Sequence, residues 1–198
     1  MKTLKEYYNE ALNFKPQHPI DDETANFICD FIYDNKIEKM LEIGSGVGYS
    51  ANYFAINSSI FQIDSYEKEF GFFLFAKDNS MSKKIKFIWE DFLYGELKYI
   101  RFNKYPLIFI DAAKSKQKEI FEKSLQFLSD KGTIIVDNIN LNRVKEKSDD
   151  LNIDSRKAKN IKKMLTKAAE FKEYLNCIEN FDVKFLNIGD GIVICKRK

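Results

Sequence analysis

The sequence is poor in cysteine, histidine and glycine, and each scarcity excludes a class of protein. Its three cysteines, Cys29, Cys177 and Cys195, are far apart, which argues against both a disulfide framework and a zinc site. The single histidine, His18, lies between two prolines, and we assign it no role. Unpaired cysteines are typical of a reducing compartment, so we expect a cytoplasmic protein.

Long apolar segments and a strong charge of either sign are also absent. No window approaches the roughly 20 apolar residues of a membrane helix, and the N-terminal residues MKTLKEYYNEAL lack the apolar core of a signal peptide. We therefore expect neither export nor membrane anchoring. The 32 basic and 30 acidic residues leave a net charge of +2, which neither requires nor excludes a nucleic-acid partner.

What the sequence does contain is an alternation of short apolar runs with helix-like segments, which predicts an α/β fold. The alternation favours a mainly parallel sheet with helices on both faces. Near the C-terminus, two strand-like runs surround the tight turn Gly189-Asp190-Gly191. They predict a hairpin that completes a seven-stranded sheet with an antiparallel strand at or near its edge. The strand predictions are MLEI before Gly44 and residues 59–66, 85–89, 105–110, 133–136, 182–186 and 191–195.

The helix predictions complete this plan. A hydrophobic content of 44% suits one core, and no linker or repeat divides the chain. We therefore expect a single domain over residues 1–198, in which residues 1–36 form an N-terminal helical segment. The predicted helices are residues 3–14, a segment from Asp21 or Asp22 to about Asn35, a helix after Gly48, and residues 68–80, 115–128 and 156–177.

A glycine-rich loop, Gly44-Ser45-Gly46-Val47-Gly48, lies where the first strand meets a helix. Glycines there let the backbone approach a ligand closely, and the helix N-terminus favours a negative group. A dinucleotide fingerprint would need a small residue at the position that Tyr49 occupies. The spacing therefore fits S-adenosylmethionine better than a dinucleotide. The alternative is a glycine-rich turn that binds nothing.

Acidic residues at the ends of the next two strands could bind the rest of such a cofactor. Glu67 follows the loop by about 20 residues, where an acid can accept hydrogen bonds from both ribose hydroxyls; Asp64 is a nearby competitor. Asp91 ends the third strand and could accept from the adenine amino group, with Phe92 beside the ring. Both Glu67 and Asp91 could instead be ordinary surface acids.

Polar side chains follow the fourth and fifth strands, where the carboxyl ends of parallel strands meet. Asp111 ends one strand, and Asp137 and Asn138 end the next. Two carboxylates and a carboxamide suit a hard divalent cation, Mg²⁺ first; helix or turn capping is the alternative. Lys114 follows Asp111 on the same loop. A nearby cation would favour its neutral amine, which suits a general base, whereas a plain surface lysine is the other interpretation.

The motifs LEIGSGVGYSA, IFIDAAK and IIVDN, in this order, resemble those of the bacterial relatives of catechol and caffeoyl-CoA O-methyltransferases. The resemblance runs from Pro19-Ile20 to the terminal IGDGIVICK. It implies a Rossmann-like class I methyltransferase fold, S-adenosylmethionine as cofactor, and Mg²⁺ or another divalent cation. Within that group, the chain is most similar to bacterial enzymes that convert 5-hydroxyuridine to 5-methoxyuridine in tRNA anticodon loops.

The resemblance also implies a role for individual residues. Asp111 and Lys114 would be catalytic. Glu42 and Ser50 would face the methionine end of the cofactor, and the metal ligands would be Asp111, Asp137 and Asn138. Where the family usually has Gly-Asp-Ala, this chain has Glu90-Asp91-Phe92, and Asn187 replaces the usual proline before Ile-Gly-Asp-Gly. The full set of implied cofactor contacts is Ile20, Glu42, Gly44, Gly46, Gly48, Ser50, Glu67, Asp91, Phe92 and Asp111.

The sequence alone leaves the methyl acceptor open. Residues 155–167 hold six basic side chains and no acid, and helical spacing aligns four of them: Arg156, Lys159, Lys163 and Lys167. We interpret this basic stripe either as a binding surface for RNA phosphates or as a solvated helix face. Three functions remain: a tRNA methyltransferase, a methyltransferase for small catechol-like hydroxyl acceptors, and a non-catalytic cofactor-binding protein.

Self-association is also expected. We expect a homodimer, and the segment after Glu67 is rich in phenylalanine: Phe70, Phe72, Phe73 and Phe75. Core packing is the favoured interpretation of these four side chains, and a subunit interface is the alternative.

Overall fold

The computed structural model describes residues 2–14, 19–141 and 155–198, so His18 lies outside the described residues. Within these ranges the chain forms a seven-stranded sheet with the order β3-β2-β1-β4-β5-β7-β6. β1 to β5 are parallel, and β7 runs antiparallel to both of its neighbours. The predicted mainly parallel sheet with a C-terminal hairpin is confirmed. The strands are β1 (Lys39–Ile43), β2 (Gln62–Glu67), β3 (Ile85–Trp89), β4 (Tyr105–Ile110), β5 (Leu128–Val136), β6 (Phe181–Leu186) and β7 (Ile192–Arg197).

The helices follow the predicted order with one difference. The segment predicted as a helix over 115–128 is a short α-helix flanked by two 3₁₀ turns, Lys114–Lys116 and Leu125–Phe127. It ends early because β5 already begins at Leu128, in a polar stretch with no apolar run to reveal a strand. The α-helices are α1 (Leu4–Phe14), α2 (Asp22–Asp34), α3 (Tyr49–Asn57), α4 (Phe70–Asp78), α5 (Gln117–Ser124) and α6 (Ser155–Cys177).

The start of α2 is fixed by local chemistry. The Asp21 carboxylate accepts a hydrogen bond from the backbone N–H of Thr24 at 2.9 Å, which satisfies one of the free donors of the first turn. Asp22 and Glu23 in that turn complement the positive end of the helix dipole. Of the two predicted caps, Asp21 is therefore the one that the structure uses.

The two faces of the sheet carry separate cores because successive strand residues point to opposite sides. Leu107 packs with α1, α2 and α3 on one face, whereas Ile108 packs with α5 and α6 on the other. β4 is buried along almost its whole length, as its continuous apolar sequence predicts for a strand covered on both sides. The prediction of helices on both faces is confirmed.

The prediction that the phenylalanines of α4 pack in the core holds for only some of them. Phe72 and Phe75 pack against the core, but Phe70 is 49% exposed and rests on Trp89, itself 53% exposed, with ring centroids 4.5 Å apart. The core interpretation is therefore wrong for Phe70, which lies at the rim of the sheet beside edge strand β3. No helix in the described ranges combines the length and the apolar character needed to cross a membrane.

Candidate active site

The candidate site lies where the order of the sheet reverses, between β1 and β4. In open α/β sheets ligands bind beyond the carboxyl ends of the strands at such a point. The loops after the two strands touch: the backbone N–H of Asp111 bonds to the carbonyl of Ile43 at 3.1 Å. A side chain at Gly44 would collide with the carbonyl oxygen of Asp111. The close approach of the two loops therefore requires the first glycine of the motif.

The glycine loop turns through positive φ at Gly44 (98°), Gly46 (51°) and Gly48 (79°), a region that other residues rarely adopt. Gly48 has a second constraint, because a Cβ there would lie 2.7 Å from the Ala76 Cβ and 2.9 Å from the Phe87 ring. It thus permits α4 and β3 to pack behind the loop, and it does not line the cavity described next.

A cavity of about 650 Å³ opens at this point, and it brings most of the predicted site together. The glycine loop and Glu67 form one part of its wall, and Asp111 and Lys114 form another. Glu90, Tyr94 and Lys116 also line it, although the sequence did not single them out as site residues. The predicted cofactor residues that line the cavity are Ile20, Gly44, Gly46, Ser50, Glu67, Asp91, Phe92 and Asp111; Glu42 and Gly48 do not.

Glu67 lines the cavity and bonds to the glycine loop. One carboxylate oxygen accepts from the N–H of Gly46 at 2.7 Å, and the other accepts from the N–H of Glu69 at 2.8 Å. Burial raises the pKa of this carboxyl. A carboxylate offers about four acceptor positions, so the two bonds leave capacity for a hydroxyl pair in the cavity.

Asp64, the competitor to Glu67, has a different role. It is completely buried, and its carboxylate accepts from the Arg101 backbone N–H at 2.7 Å, from the Arg101 guanidinium and from the Tyr105 hydroxyl. Asp64 does not line the cavity. It joins β2 to β4 and to the loop before β4, which leaves Glu67 as the candidate for ribose.

Glu42 lies behind the cavity wall and supports it. Its carboxylate is fully buried, accepts from the Ser50 hydroxyl at 2.5 Å and also accepts from the Ser65 hydroxyl. Burial raises the pKa of Glu42 to about 7. Ser65 was not anticipated, although it pairs with Glu42 across the parallel register of β1 and β2. Ser50 lines the cavity, so Glu42 acts on the cavity through Ser50.

The end of β3 carries two acids, Glu90 and Asp91, that bond to the backbone of the loop after it. One Asp91 oxygen accepts from the N–H of Leu93 at 2.8 Å and caps the following turn. Glu90 accepts from the N–H of Leu97 at 2.9 Å through one oxygen, and the other oxygen is buried without a hydrogen-bond partner among the described residues. Both acids line the cavity, so Asp91 shares this end of it with Glu90.

Asp111 and Asp137 form a pair of neighbouring carboxylates. The Lys114 ammonium bonds to Asp111 at 2.5 Å. Asp137 is only 1% exposed, and burial, followed by the repulsion from Asp111, raises its pKa to about 7. Gln117, which sequence reasoning missed, holds the Asp137 carbonyl at 2.8 Å. The two acids therefore repel each other at the rim of the site, with Lys114 beside them.

The third predicted donor, Asn138, has φ of 58°, a left-handed conformation that asparagine tolerates better than most residues. Its N–H bonds to the Asp137 carboxylate at 2.6 Å. No cluster of three His, Cys, Asp or Glu side chains able to hold a metal occurs in the described ranges. Two close carboxylates and an adjacent carboxamide nevertheless fit a hard divalent cation by donor chemistry, with Asn138 as the third donor.

A model of the O-methyltransferase family matches residues 1–198, the whole chain. The chain belongs to the O-methyltransferase family. The predicted enzyme class, an S-adenosylmethionine-dependent O-methyltransferase, is confirmed, and the non-catalytic alternative falls away.

Solved structures share the fold of this chain. A Staphylococcus aureus protein described as a caffeoyl-CoA O-methyltransferase is 27% identical with a TM-score of 0.83, over 100% of this chain and 93% of that one. A methyltransferase from Podospora anserina, solved with S-adenosylhomocysteine, is 20% identical with a TM-score of 0.80, over 98% and 87%. An O-methyltransferase from Bacillus cereus, also with S-adenosylhomocysteine, is 20% identical with a TM-score of 0.77, over 98% and 90%. The Rossmann-like methyltransferase fold is confirmed.

The four residues of the basic stripe lie on α6 and do not line the cavity. Arg156, Lys159, Lys163 and Lys167 are all exposed, and Lys167 pairs with Glu170 at 2.7 Å. Helix α6 packs against the 3₁₀ turn that begins at Lys114. The stripe is thus carried by a helix that contacts the turn containing Lys114.

Proposed function

We propose that this O-methyltransferase transfers the methyl group of S-adenosylmethionine to the 5-hydroxyl of a modified uridine in a tRNA anticodon loop, with the help of a divalent cation. The product would be 5-methoxyuridine. The observation that carries the proposal is one cavity with two functional walls: the glycine loop with Glu67 on one, and Asp111 with Lys114 on the other. Methyl donor and acceptor would meet between them.

The cofactor would lie along the glycine loop. Glu67 would accept hydrogen bonds from the ribose hydroxyls, and Ser50, held by Glu42, would face the methionine carboxylate. Asp91 and Phe92 line the end of the cavity where the adenine would lie. The structures from Bacillus cereus and Podospora anserina, which share the fold, were solved with the demethylated cofactor, and this supports the assignment.

Asp111, Asp137 and Asn138 would hold the metal. When bound, a divalent cation supplies Lewis acidity, which makes a hydroxyl next to it easier to deprotonate. The chain's own residues do the rest: Asp111 and the glycine loop keep donor and acceptor in contact, and orientation of this kind accounts for much of the rate of a transfer reaction.

The transfer itself balances with Lys114 as the base. The acceptor oxygen attacks the methyl carbon, the new C–O bond forms as the C–S bond breaks, and the sulfonium becomes a neutral thioether. The hydroxyl proton would pass to Lys114 once its ammonium, paired with Asp111 in the structure, has released its own proton to solvent. Asp111, 2.5 Å from that nitrogen, then stabilises the resulting ammonium.

The cofactor assignment predicts that Glu67→Ala weakens binding of S-adenosylhomocysteine. Leaving ribose hydroxyls unpaired in a buried site costs about 1–3 kcal/mol, which is roughly a 5- to 150-fold loss of affinity. Calorimetry measures it directly. Glu38→Ala, which removes an exposed acid that does not line the cavity, is the control and should stay close to the wild-type affinity. Unchanged affinity in Glu67→Ala would remove this residue from the cofactor site.

RNA as the acceptor is supported by the basic stripe on α6 and by the resemblance of the sequence. In 5-hydroxyuridine the hydroxyl adjoins the uracil O4, so the base presents two neighbouring oxygens as a catechol does. A phosphate backbone on α6 would bring an anticodon loop beside the turn that carries Lys114. A tRNA substrate also implies the cytoplasmic location that the cysteines predict.

Replacing Lys159 and Lys163 together with alanine should weaken tRNA binding and raise KM for tRNA. Each contact with a single-stranded phosphate contributes about −0.7 to the slope of log affinity against log salt, so the slope should fall by about one to two units. Lys184→Ala with Lys196→Ala, two exposed lysines of the C-terminal hairpin, is the control of equal charge. Salt-independent binding by the wild type would exclude the stripe as the docking surface.

A small catechol-like acceptor is the second candidate, because the Staphylococcus aureus relative is described as a caffeoyl-CoA O-methyltransferase. The two candidates share every catalytic residue. Measured values of kcat/KM for a free catechol and for tRNA containing 5-hydroxyuridine separate them. If kcat/KM is higher for the catechol, the proposed acceptor becomes the small molecule and no longer tRNA.

We also propose a homodimer in which a second copy covers Phe70 and Trp89. Trp89 ends the edge strand β3, Phe70 packs on it, and both side chains are about half exposed, so two copies related by a twofold axis could bury both. The mass of the wild type in solution should be that of a dimer, and the mass of Trp89→Ser should move toward that of a monomer. A monomeric wild type would contradict the homodimer.

A further inference from the structure

The N-terminal helix α1 touches the glycine loop through one side chain. Tyr7 is completely buried, and its hydroxyl donates a hydrogen bond to the carbonyl of Val47, the fourth residue of the loop. In α1, Tyr7 and Ala11 are the residues that become buried. Leu4, Tyr8 and Phe14 add apolar contacts that hold the helix, and the buried Tyr7 hydroxyl is the polar group that joins it to the loop.

A second buried side chain holds the next carbonyl. Asn52, in α3, donates from its amide nitrogen to the Gly48 carbonyl at 2.8 Å, and its amide oxygen accepts from the N–H of Met81 at 2.8 Å. Tyr7 and Asn52 thus hold two successive carbonyls of the loop from outside the cavity. We call this pair the loop clamp.

The clamp sets the direction of the groups on the other side of the same peptides. A peptide unit is planar and trans, so fixing its carbonyl also fixes its N–H in the opposite direction. The N–H that shares a peptide with the Val47 carbonyl belongs to Gly48, and it closes the loop by bonding to the Ser45 carbonyl at 2.7 Å. Tyr49 follows and lines the cavity. A free Val47 carbonyl would let this peptide rotate and open the turn.

We propose that Tyr7 is a positioning residue for the cofactor, and that docking of α1 and binding of the cofactor stabilise each other through the Tyr7–Val47 bond. The inference rests on the proposed cofactor site at this loop. Val47 is 3% exposed, so without the hydroxyl its carbonyl is buried and unpaired, a state that proteins avoid. The loop then leaves the cofactor-binding shape, and α1 loses its polar anchor.

Tyr7→Phe tests the clamp because it removes the hydroxyl and keeps the ring, which packs edge-on against Phe75 at a centroid distance of 5.9 Å. We expect S-adenosylhomocysteine to bind about fivefold more weakly, the effect of losing one buried hydrogen bond. KM for S-adenosylmethionine should rise with it, while kcat at saturating cofactor stays within about twofold, because Tyr7 touches no reacting group.

The matched control is Tyr105→Phe, which deletes another buried tyrosine hydroxyl, bonded to Asp64. Both variants should lower Tm, but only Tyr7→Phe should weaken cofactor binding. Equal weakening in both, or an unchanged affinity in Tyr7→Phe, would overturn the inference. If Tyr7→Phe binds the cofactor normally while Glu67→Ala binds it weakly, the proposed role of Tyr7 is wrong and the proposed function stands. If the wild type does not bind the cofactor, the proposed function is wrong.

Amide hydrogen exchange tests the coupling between α1 and the cofactor without any measurement of catalytic activity. Linkage is reciprocal, so a cofactor that prefers the clamped loop must also stabilise docked α1. S-adenosylhomocysteine should slow exchange across residues 4–14 in the wild type, and the slowing should be lost in Tyr7→Phe but kept in Tyr105→Phe. Cofactor binding that leaves exchange in α1 unchanged in the wild type would contradict the proposed coupling.

Discussion

Asp137→Ala should lower kcat/KM for methyl transfer by about a thousandfold. A bound divalent cation typically supplies several kcal/mol of stabilisation to the reacting oxygen, and about 4 kcal/mol corresponds to that factor, since each 1.36 kcal/mol is tenfold. Asp137 is one of two carboxylates in the proposed ligand set. Its removal leaves Asp111 paired with Lys114 and a set with too few anionic donors to hold the ion.

Chelation separates a metal role from a structural one. A chelator should abolish turnover by the wild-type enzyme, and added Mg²⁺ should restore it, whereas Asp137→Ala should stay inactive at ordinary Mg²⁺ concentrations. S-adenosylhomocysteine should bind both proteins alike, because Asp137 does not line the cavity. If Asp137 only caps the turn at Asn138, the variant loses stability but the wild type keeps full activity in chelator. That outcome would disprove metal assistance.

The parts of this site that sequence reasoning anticipated share one cause. Parallel strands end at a common edge, so residues that directly follow predicted strands are forced together whatever their exact bounds. This is why Asp111 and Lys114 face the same cavity as Glu67, although more than 40 residues separate the two groups in the sequence. The alternating pattern did not predict the order of the strands, which brings β1 beside β4; that order belongs to the Rossmann-like fold that the resemblance implied.

What the sequence could not reveal depends on contacts across the fold. Glu42 and Ser50 were both expected to face the cofactor, yet Glu42 is buried behind Ser50 and bonds to Ser65 on the neighbouring strand. Gly48 was predicted to contact the cofactor. In the structure, the absence of a side chain there makes room for Ala76 and Phe87. In each case the deciding partner comes from another element, so local spacing carries no sign of it.

Asp64 shows the same limit and leads to the largest expected loss of stability. From its position at the end of the second predicted strand it competed with Glu67 for the ribose. The structure instead surrounds it with three donors, two from Arg101 and one from Tyr105. An acid that is fully buried, accepts three hydrogen bonds from other elements and does not line the cavity holds those elements together and does not face a ligand.

Asp64→Ala should therefore lower the free energy of unfolding by about 3 kcal/mol, the low end of the range for breaking a buried ion pair, since the Arg101 side chain remains 25% exposed to water. Urea unfolding measures the change. Glu67→Ala, in the same strand but facing the cavity, is the matched control and should cost less than half as much. Pairing Asp64→Ala with Arg101→Ala should cost clearly less than the sum of the two single changes, because the two residues stabilise the fold through one interaction. Strict additivity, or a loss below about 1 kcal/mol in Asp64→Ala, would show that the Asp64–Arg101–Tyr105 network contributes little and that the packing of β2 against β4 suffices.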